Sequence, residues 1–69
     1  MMATGTVKWF NAGTGYGFIT PDEGERDVFV HHTSVEVAGM KPLTEGQRIS
    51  FEILEDTRGL KAANLAQAE

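Results

Sequence analysis

Three short stretches decide the fold of this chain: GTVKWFN at residues 5–11, GYGFI at residues 15–19 and DVFVH at residues 27–31. Each is rich in β-branched and aromatic side chains, which favour β-strands. The polar, glycine-containing segments between them, NAGTG at residues 11–15 and PDEGER at residues 21–26, are typical of turns. The first half of the sequence therefore predicts three consecutive strands.

The second half of the sequence adds two more strands. Apolar and polar residues alternate over residues 46–54, with Ile49, Phe51 and Ile53 on one face. A fifth strand, which we expect to bury Ala63 and Leu65, follows the DTRG turn. The predicted strands are residues 4–11, 15–20, 27–31, 46–54 and 60–65, and one short helical turn is predicted near residues 34–37.

Five short strands without a long helix predict an all-β fold. A small five-stranded antiparallel OB-fold barrel suits this pattern, because closing the sheet removes its exposed edges. The 69 residues contain no repeat and no linker, so we expect a single domain over residues 1–69. No apolar run approaches the ~18 residues of a membrane span, and no signal peptide is predicted. We therefore expect a soluble cytoplasmic protein without a membrane partner.

The outer face of the second and third strands is predicted to be aromatic. If Ile19, Val28 and Val30 face the interior, alternation turns the neighbouring rings outward: Tyr16, Phe18, Phe29 and His31. An exposed aromatic patch usually marks a binding surface, and rings on adjacent strands can stack unpaired bases at about 1–3 kcal/mol per base. The alternative is that these rings belong to the core. Their clustering argues against it, since five of the six Phe, Trp and Tyr residues lie between residues 9 and 29.

The charge of the chain opposes binding to a polyanion. Ten acidic residues against six basic ones give a net charge of −4, which repels nucleic acid at long range. Several basic residues nevertheless lie near the aromatic residues or the final turn: Lys8, Lys41, Arg58 and Lys61. If two to four of these basic residues contact phosphates, the salt dependence of binding to a single strand should be shallow. The slope of log K against log salt concentration would then be about −1.4 to −2.8. The alternative is that these basic side chains are scattered, solvated charges with no role in binding.

Two other classes of protein are alternatives to a base-stacking barrel. An enzyme is disfavoured because His31 and His32 point to opposite faces of a strand, and the chain has no cysteine and no phosphate-binding βαβ unit. We expect no catalytic residue, no metal site and no cofactor. A barrel whose aromatic patch binds a peptide stays open as the second alternative.

The three stretches together resemble the bacterial cold-shock protein family. The match covers about residues 4–65, and EGQ at residues 45–47 and AAN at residues 62–64 also look like family positions. The resemblance implies a five-stranded antiparallel barrel that binds single-stranded RNA and DNA with little sequence specificity. It further implies a passive RNA chaperone that disfavours secondary structure in nucleic acids, with a role in transcription regulation by antitermination and in stress response. We expect a monomer.

The resemblance also implies roles for particular residues. Base-stacking positions carry over to Trp9, Tyr16, Phe18, Phe29 and His31, and phosphate contacts to Lys8, Lys41 and Arg58. Phe10 and Asp27 match positions that line the site, and Asp27 would accept a hydrogen bond from a base edge. Strict alternation places Trp9 on the same side of the strand as the buried Val7, so the exposure of Trp9 is implied by the family alone. A bulge in the first strand would reconcile this exposure with the burial of Val7.

Four positions depart from the family pattern. Thr14 stands where the family usually has Lys, His32 where it usually has Phe, and Met40 where it commonly has an aromatic residue. Tyr16 replaces Phe and keeps the ring. His32 and Met40 remain among the predicted binding positions, but the loss of charge and ring area predicts weaker binding than in a typical member.

Overall fold

Five strands and one short helix make up the structure, a computed structural model that describes residues 2–24 and 26–68. The elements are β1 (Met2–Asn11), β2 (Tyr16–Pro21), β3 (Val28–His31), α1 (His32–Val37), β4 (Arg48–Asp56) and β5 (Gly59–Gln67). The five predicted strands and the predicted helical turn are confirmed, each boundary lying within two residues of its predicted place. Within the described residues, no helix has the length and apolar character needed to cross a membrane.

The strands close into a barrel in the order β1-β2-β3-β5-β4. Four of the neighbouring pairs are antiparallel. The fifth pair, β3 with β5, is parallel and places Phe29 opposite Lys61. One parallel contact is unavoidable, because an odd number of strands in a closed ring cannot alternate in direction at every pair. The predicted five-stranded barrel is confirmed, and we call its parallel β3–β5 contact the seam.

The interior of the barrel is filled mainly by aliphatic side chains. Phe51 is fully buried and is the one aromatic residue in the core that the described residues form. The other buried core residues are Val7, Ile19, Val28, Val30, Val35, Leu43, Ile49, Ala62 and Leu65. The remaining large rings therefore lie wholly or partly outside this core.

The inward face of β5 differs from the prediction. Ala62 and Leu65 are buried, whereas Ala63 is only half-buried, so the expectation for Ala63 was wrong. Asn64 adopts a positive φ of 51°, and the register between β4 and β5 shifts in this region. Because of this irregularity, the inward residues Ala62 and Leu65 are three positions apart. Strict alternation predicts inward residues two positions apart and therefore cannot give this spacing.

An ion pair ties β4 to the hairpin of β1 and β2. Arg48 donates hydrogen bonds from Nη1 to Oδ1 of Asp22 at 2.7 Å and from Nη2 to Oδ2 at 2.6 Å. Thr4 Oγ1 donates to the same carboxylate at 3.0 Å. The hydrogen bonds from Arg48, followed by the one from Thr4, lower the pKa of Asp22 to about 2. This carboxylate therefore stays charged across the neutral and mildly acidic range.

Candidate nucleic-acid interface

A bulge at Lys8 turns Trp9 toward the solvent. On β1 the pairing with β2 moves from Val7 opposite Ile19 directly to Trp9 opposite Phe18, which leaves Lys8 as the extra residue. Val7 is buried, whereas 36% of Trp9 is exposed. The bulge suggested by the sequence is confirmed, and it places Trp9 on the outer face together with the rings of β2 and β3.

Five rings on three neighbouring strands touch one another on this outer face. Ring centroids lie 5.4 Å apart for Trp9 and Phe18, 5.8 Å for Phe18 and Phe29, and 5.6 Å for Tyr16 and Phe29. His31 continues the group at 6.3 Å from Phe29. These separations are those of interacting aromatic pairs. We call Trp9, Tyr16, Phe18, Phe29 and His31 the ring cluster.

The ring cluster lies outside the barrel core. Trp9, Tyr16 and His31 are exposed, and Phe18 and Phe29 are half-buried with rings on both sides. The interior positions of the same strands hold Ile19, Val28 and Val30, all fully buried. The alternative in which these rings fill the core is therefore wrong.

Close packing of the backbone supports the ring cluster from beneath. Gly17 lies between Tyr16 and Phe18 and pairs with Phe10 on β1. A Cβ atom at Gly17 would lie 2.2 Å from the carbonyl oxygen of Trp9 and 2.7 Å from Cα of Phe10. Glycine is therefore required here so that β2 can approach the bulged part of β1.

The two histidines are held by different contacts. His31 caps α1, and its Nδ1 accepts a hydrogen bond from the backbone amide of Thr33 at 3.3 Å. This contact makes Nδ1 the acceptor and leaves Nε2 as the protonated nitrogen of the neutral ring. The ring of His32 lies 4.4 Å from that of His31, and its Nδ1 is hydrogen-bonded to Glu36. The expectation that the two rings point to opposite faces of a strand was wrong, because β3 ends at His31 and His32 begins α1. His32 thus extends the ring cluster beyond β3.

Lys8 and Asp27 are bound to each other. Lys8 Nζ donates to Oδ2 of Asp27 at 2.9 Å, and Thr20 Oγ1 donates to Oδ1 at 3.3 Å. The hydrogen bond from Lys8 is the largest cause of the lowered pKa of Asp27. The structure therefore brings both predicted site residues to the edge of the ring cluster, but as an ion pair rather than as two separate ligand-binding groups.

Phe10 and Met40 lie apart from the ring cluster. Both are half-buried and pack against the core, and they line a groove together with His32, Glu36 and Pro42. Thr14 lines the same groove, and its backbone amide donates to Oδ1 of Asn11. His32 lines this groove and contacts His31 of the ring cluster, so the two surfaces are adjacent.

The two remaining basic residues predicted for the site lie in different parts of the structure. Lys41 is exposed in the connection between α1 and β4. Arg58 lines a groove of about 490 Å³ next to Phe18 and Phe29. The same groove contains Lys61, which was noted among the usable basic residues but not predicted as a site residue, and Arg26, which was not predicted to contribute. Within the described residues, no group of three or more metal-ligating side chains is positioned to hold an ion.

Comparison with known proteins agrees with this geometry. The model of the 'Cold-shock' DNA-binding domain matches residues 3–68. The chain belongs to this family. The family is one of nucleic-acid-binding domains, and the cold-shock domain accounts for nearly all of the chain.

Individual relatives support the same membership. The chain is 56% identical over 69 residues to the "Probable cold shock protein y4cH" of Sinorhizobium fredii, covering 99% of this chain and 100% of the relative. It is 52% identical over 61 residues to the cold shock-like protein CspE of Escherichia coli, covering 88% of each. A solved structure described as drosophila Unr CSD456 superposes with a TM-score of 0.80 at 19% identity, covering all of this chain and 27% of that one. The last similarity supports the fold of the cold-shock domain.

Proposed function

We propose that this cold-shock domain binds unpaired segments of RNA and DNA by stacking bases on the ring cluster. The observation that carries the proposal is the contact among five rings on one outer face, with Trp9 and Tyr16 36% and 37% exposed. Every base offers a flat face to such a surface, so stacking gives affinity with low sequence specificity. The peptide-binding alternative has no comparable support, since it does not explain the family to which the chain belongs.

Stacking on protein rings selects the open form of a nucleic acid. A base within a duplex is already covered on both faces by its neighbours, and only an unpaired base can lie on a protein ring. A protein that binds only the open form shifts the equilibrium toward it by mass action. No nucleotide hydrolysis is needed, so the proposed activity is that of a passive RNA chaperone.

The size of this effect can be bounded. At a free protein concentration of about 100 times Kd, one bound molecule stabilises the open form by about 2.7 kcal/mol. A base-pair step of duplex DNA contributes about 1.4 kcal/mol on average, so one molecule offsets about two such steps. Marginal hairpins would be opened by one molecule, whereas longer ones would need several molecules side by side.

The predicted binding residues take the following roles in the proposal. The ring cluster stacks successive bases, and His32 continues the stacking toward the groove of Phe10 and Met40. Asp27 reads a base edge if a phosphate or a base displaces Lys8 from their ion pair. Arg58, in the groove next to Phe18 and Phe29, and Lys41, in the connection between α1 and β4, contact phosphates.

The cellular role follows from the same activity. A monomeric cytoplasmic chaperone that opens marginal hairpins would prevent terminator hairpins from forming in nascent RNA. It would thereby affect transcription by antitermination, and it would help under stress that stabilises RNA structure.

A fluorescence titration tests the proposed function. Trp9 is the single tryptophan of the chain, and stacking of a base on its ring should quench its emission. We expect strong quenching by oligo-dT and little by a blunt duplex of equal charge. Equal quenching by both, or none at micromolar protein, would contradict the proposal.

A further inference from the structure

The register of the strands extends the ring cluster by one position. Trp9 pairs with Phe18, Phe18 pairs with Phe29, and Phe29 pairs with Lys61 across the seam. Paired residues on neighbouring strands project from the same face of a sheet, and neighbouring strands are about 4.8 Å apart. Since the ring of Phe29 points outward, the exposed Lys61 lies beside it on the outer face. A row of three rings therefore ends in a cation.

Two more cations lie in the groove next to this row. Arg26 and Arg58 line it together with Lys61, Phe18 and Phe29. Arg26 reaches the turn between β4 and β5, since a Cβ atom at Gly59 would lie 3.7 Å from its Nη2. The guanidinium of Arg26 is thus near the residue that follows Arg58, although 32 positions separate the two arginines in the sequence.

These three cations are not occupied by acidic partners. Lys8 and Arg48 form ion pairs with Asp27 and Asp22. In residues 2–24 and 26–68, by contrast, no hydrogen bond or ion pair engages the side chains of Arg26, Arg58 or Lys61.

Two acids also line the groove, Asp27 and Asp56. Asp27 is held by Lys8, and Asp56 accepts hydrogen bonds from the backbone and the hydroxyl of Thr57. When the ion pair of Asp27 with Lys8 is set aside, the groove contains three cationic side chains and one acidic side chain, that of Asp56. This local positive excess lies on a chain whose net charge is −4.

We propose that Lys61, together with Arg26 and Arg58, forms a phosphate track along the seam. A strand whose base lies on Phe29 would then cross from β3 to β5, with its backbone over Lys61 and its next phosphates near Arg58 and Arg26. This inference rests on the proposed function and deepens it by assigning where the nucleic-acid backbone leaves the ring cluster. It also explains how an acidic chain tolerates a polyanion, because three of the four lysine and arginine side chains that form no ion pair within the described residues lie in this one groove, Lys41 being the fourth.

The salt dependence of binding tests the track. Each neutralised phosphate of a single strand contributes about 0.7 to the slope of log K against log salt. Lys61→Gln should therefore reduce the steepness by about 0.7, which corresponds to a loss of about fivefold in affinity at 0.1 M salt and almost none at 1 M. Arg26→Gln should give a similar reduction, and because Arg26 lies outside the strands, its replacement leaves the strand pairing intact.

Two further variants separate a local contact from net charge. Lys61→Arg keeps the cation and should keep the wild-type slope. Lys61→Gln combined with Glu45→Gln restores the net charge of −4 by a change at an exposed loop residue, and it should still show the reduced slope. Recovery of the wild-type slope by Glu45→Gln would overturn the track, because net charge would then explain the effect.

The outcomes for the track and for the proposed function are distinct. A wild-type slope in both Lys61→Gln and Arg26→Gln, with quenching of Trp9 by oligo-dT intact, overturns the track and leaves base stacking in place. Failure of the wild-type protein to bind oligo-dT overturns the proposed function itself. Thermal melting of each variant shows whether the barrel is folded under the conditions of the titration.

Discussion

Phe18 lies at the centre of the ring cluster, and its replacement by leucine is the sharpest test of base stacking. Its ring centroid is 5.4 Å from Trp9, 5.8 Å from Phe29 and 6.4 Å from Tyr16. Leucine keeps an apolar side chain but removes the flat face on which a base can lie. Loss of one stacked base costs about 1–3 kcal/mol, so Kd for oligo-dT should rise about 5- to 140-fold.

Phe51 provides the matched control, because the same substitution there acts inside the barrel. Phe51 is fully buried, and Phe51→Leu should destabilise the fold by about 1 kcal/mol while leaving the outer face unchanged. In a domain of this size, each kcal/mol lowers Tm by about 4–8 °C. Phe18→Leu should also lose stability, since it gives up ring contacts on three sides, but only this variant should lose affinity.

The assay should not depend on Trp9, because Phe18 touches that ring. Anisotropy of a labelled oligo-dT measures Kd directly, at a temperature well below the Tm of both variants. A Kd within twofold of wild type for Phe18→Leu would refute the stacking argument. An equal loss of affinity in Phe51→Leu would refute it as well, since the loss would then reflect the fold rather than the ring face.

Three further changes have definite expected results. Asp22→Asn should lower Tm at neutral pH, because Arg48 loses its charged partner and keeps only the hydroxyl of Thr6. The pKa of Asp22 is lowered from 3.8 to about 2, so thermal melts should show the full difference in Tm from wild type above about pH 4 and none once the pH has fallen through about 2. Gly17→Ala should strongly destabilise or unfold the barrel in urea titrations, because its Cβ would clash with backbone atoms of β1. Gly13→Ala should cost much less, since its Cβ would meet only Oδ1 of Asn11 at 3.1 Å, a side-chain atom in a turn that accepts hydrogen bonds from the amides of Gly13 and Thr14. His32→Phe combined with Met40→Phe should tighten oligo-dT binding by adding ring area at His32, next to His31, and at Met40 in the adjacent groove, and an unchanged Kd would contradict this reasoning.

Local patterns were sufficient to predict most of the barrel. Alternation in β2, β3 and β4 identifies the inward positions, such as Ile19, Val30 and Ile49, because each of these strands presents one face to the core. The bulge in β1 did not follow from local patterns alone; it was indicated because the family resemblance implies an exposed Trp9, whereas strict alternation places Trp9 on the side of the buried Val7. The irregularity in β5 had no such signal, because Asn64 can occupy an ordinary strand as well as the positive φ it adopts here.

The candidate site was predicted less completely than the fold. The rings were found because they lie on strands that are consecutive in the sequence. Lys61 was not assigned to the site, because its position next to Phe29 depends on a parallel contact between β3 and β5, which are far apart in the chain. The ion pair of Lys8 with Asp27 likewise depends on tertiary structure, and it changes what each residue can offer a ligand.

The seam has a consequence for motion as well as for binding. β3 is four residues long, the shortest strand of the barrel, so its parallel contact with β5 has few backbone hydrogen bonds to hold it. Opening of this contact would convert the closed barrel into a curled sheet with two free edges. A nucleic-acid strand lying on Phe29 and Lys61 would connect both edges and oppose that opening. Amide protons along β3 and β5 should then exchange with solvent more slowly in the complex, because the bound strand stabilises the seam against local opening.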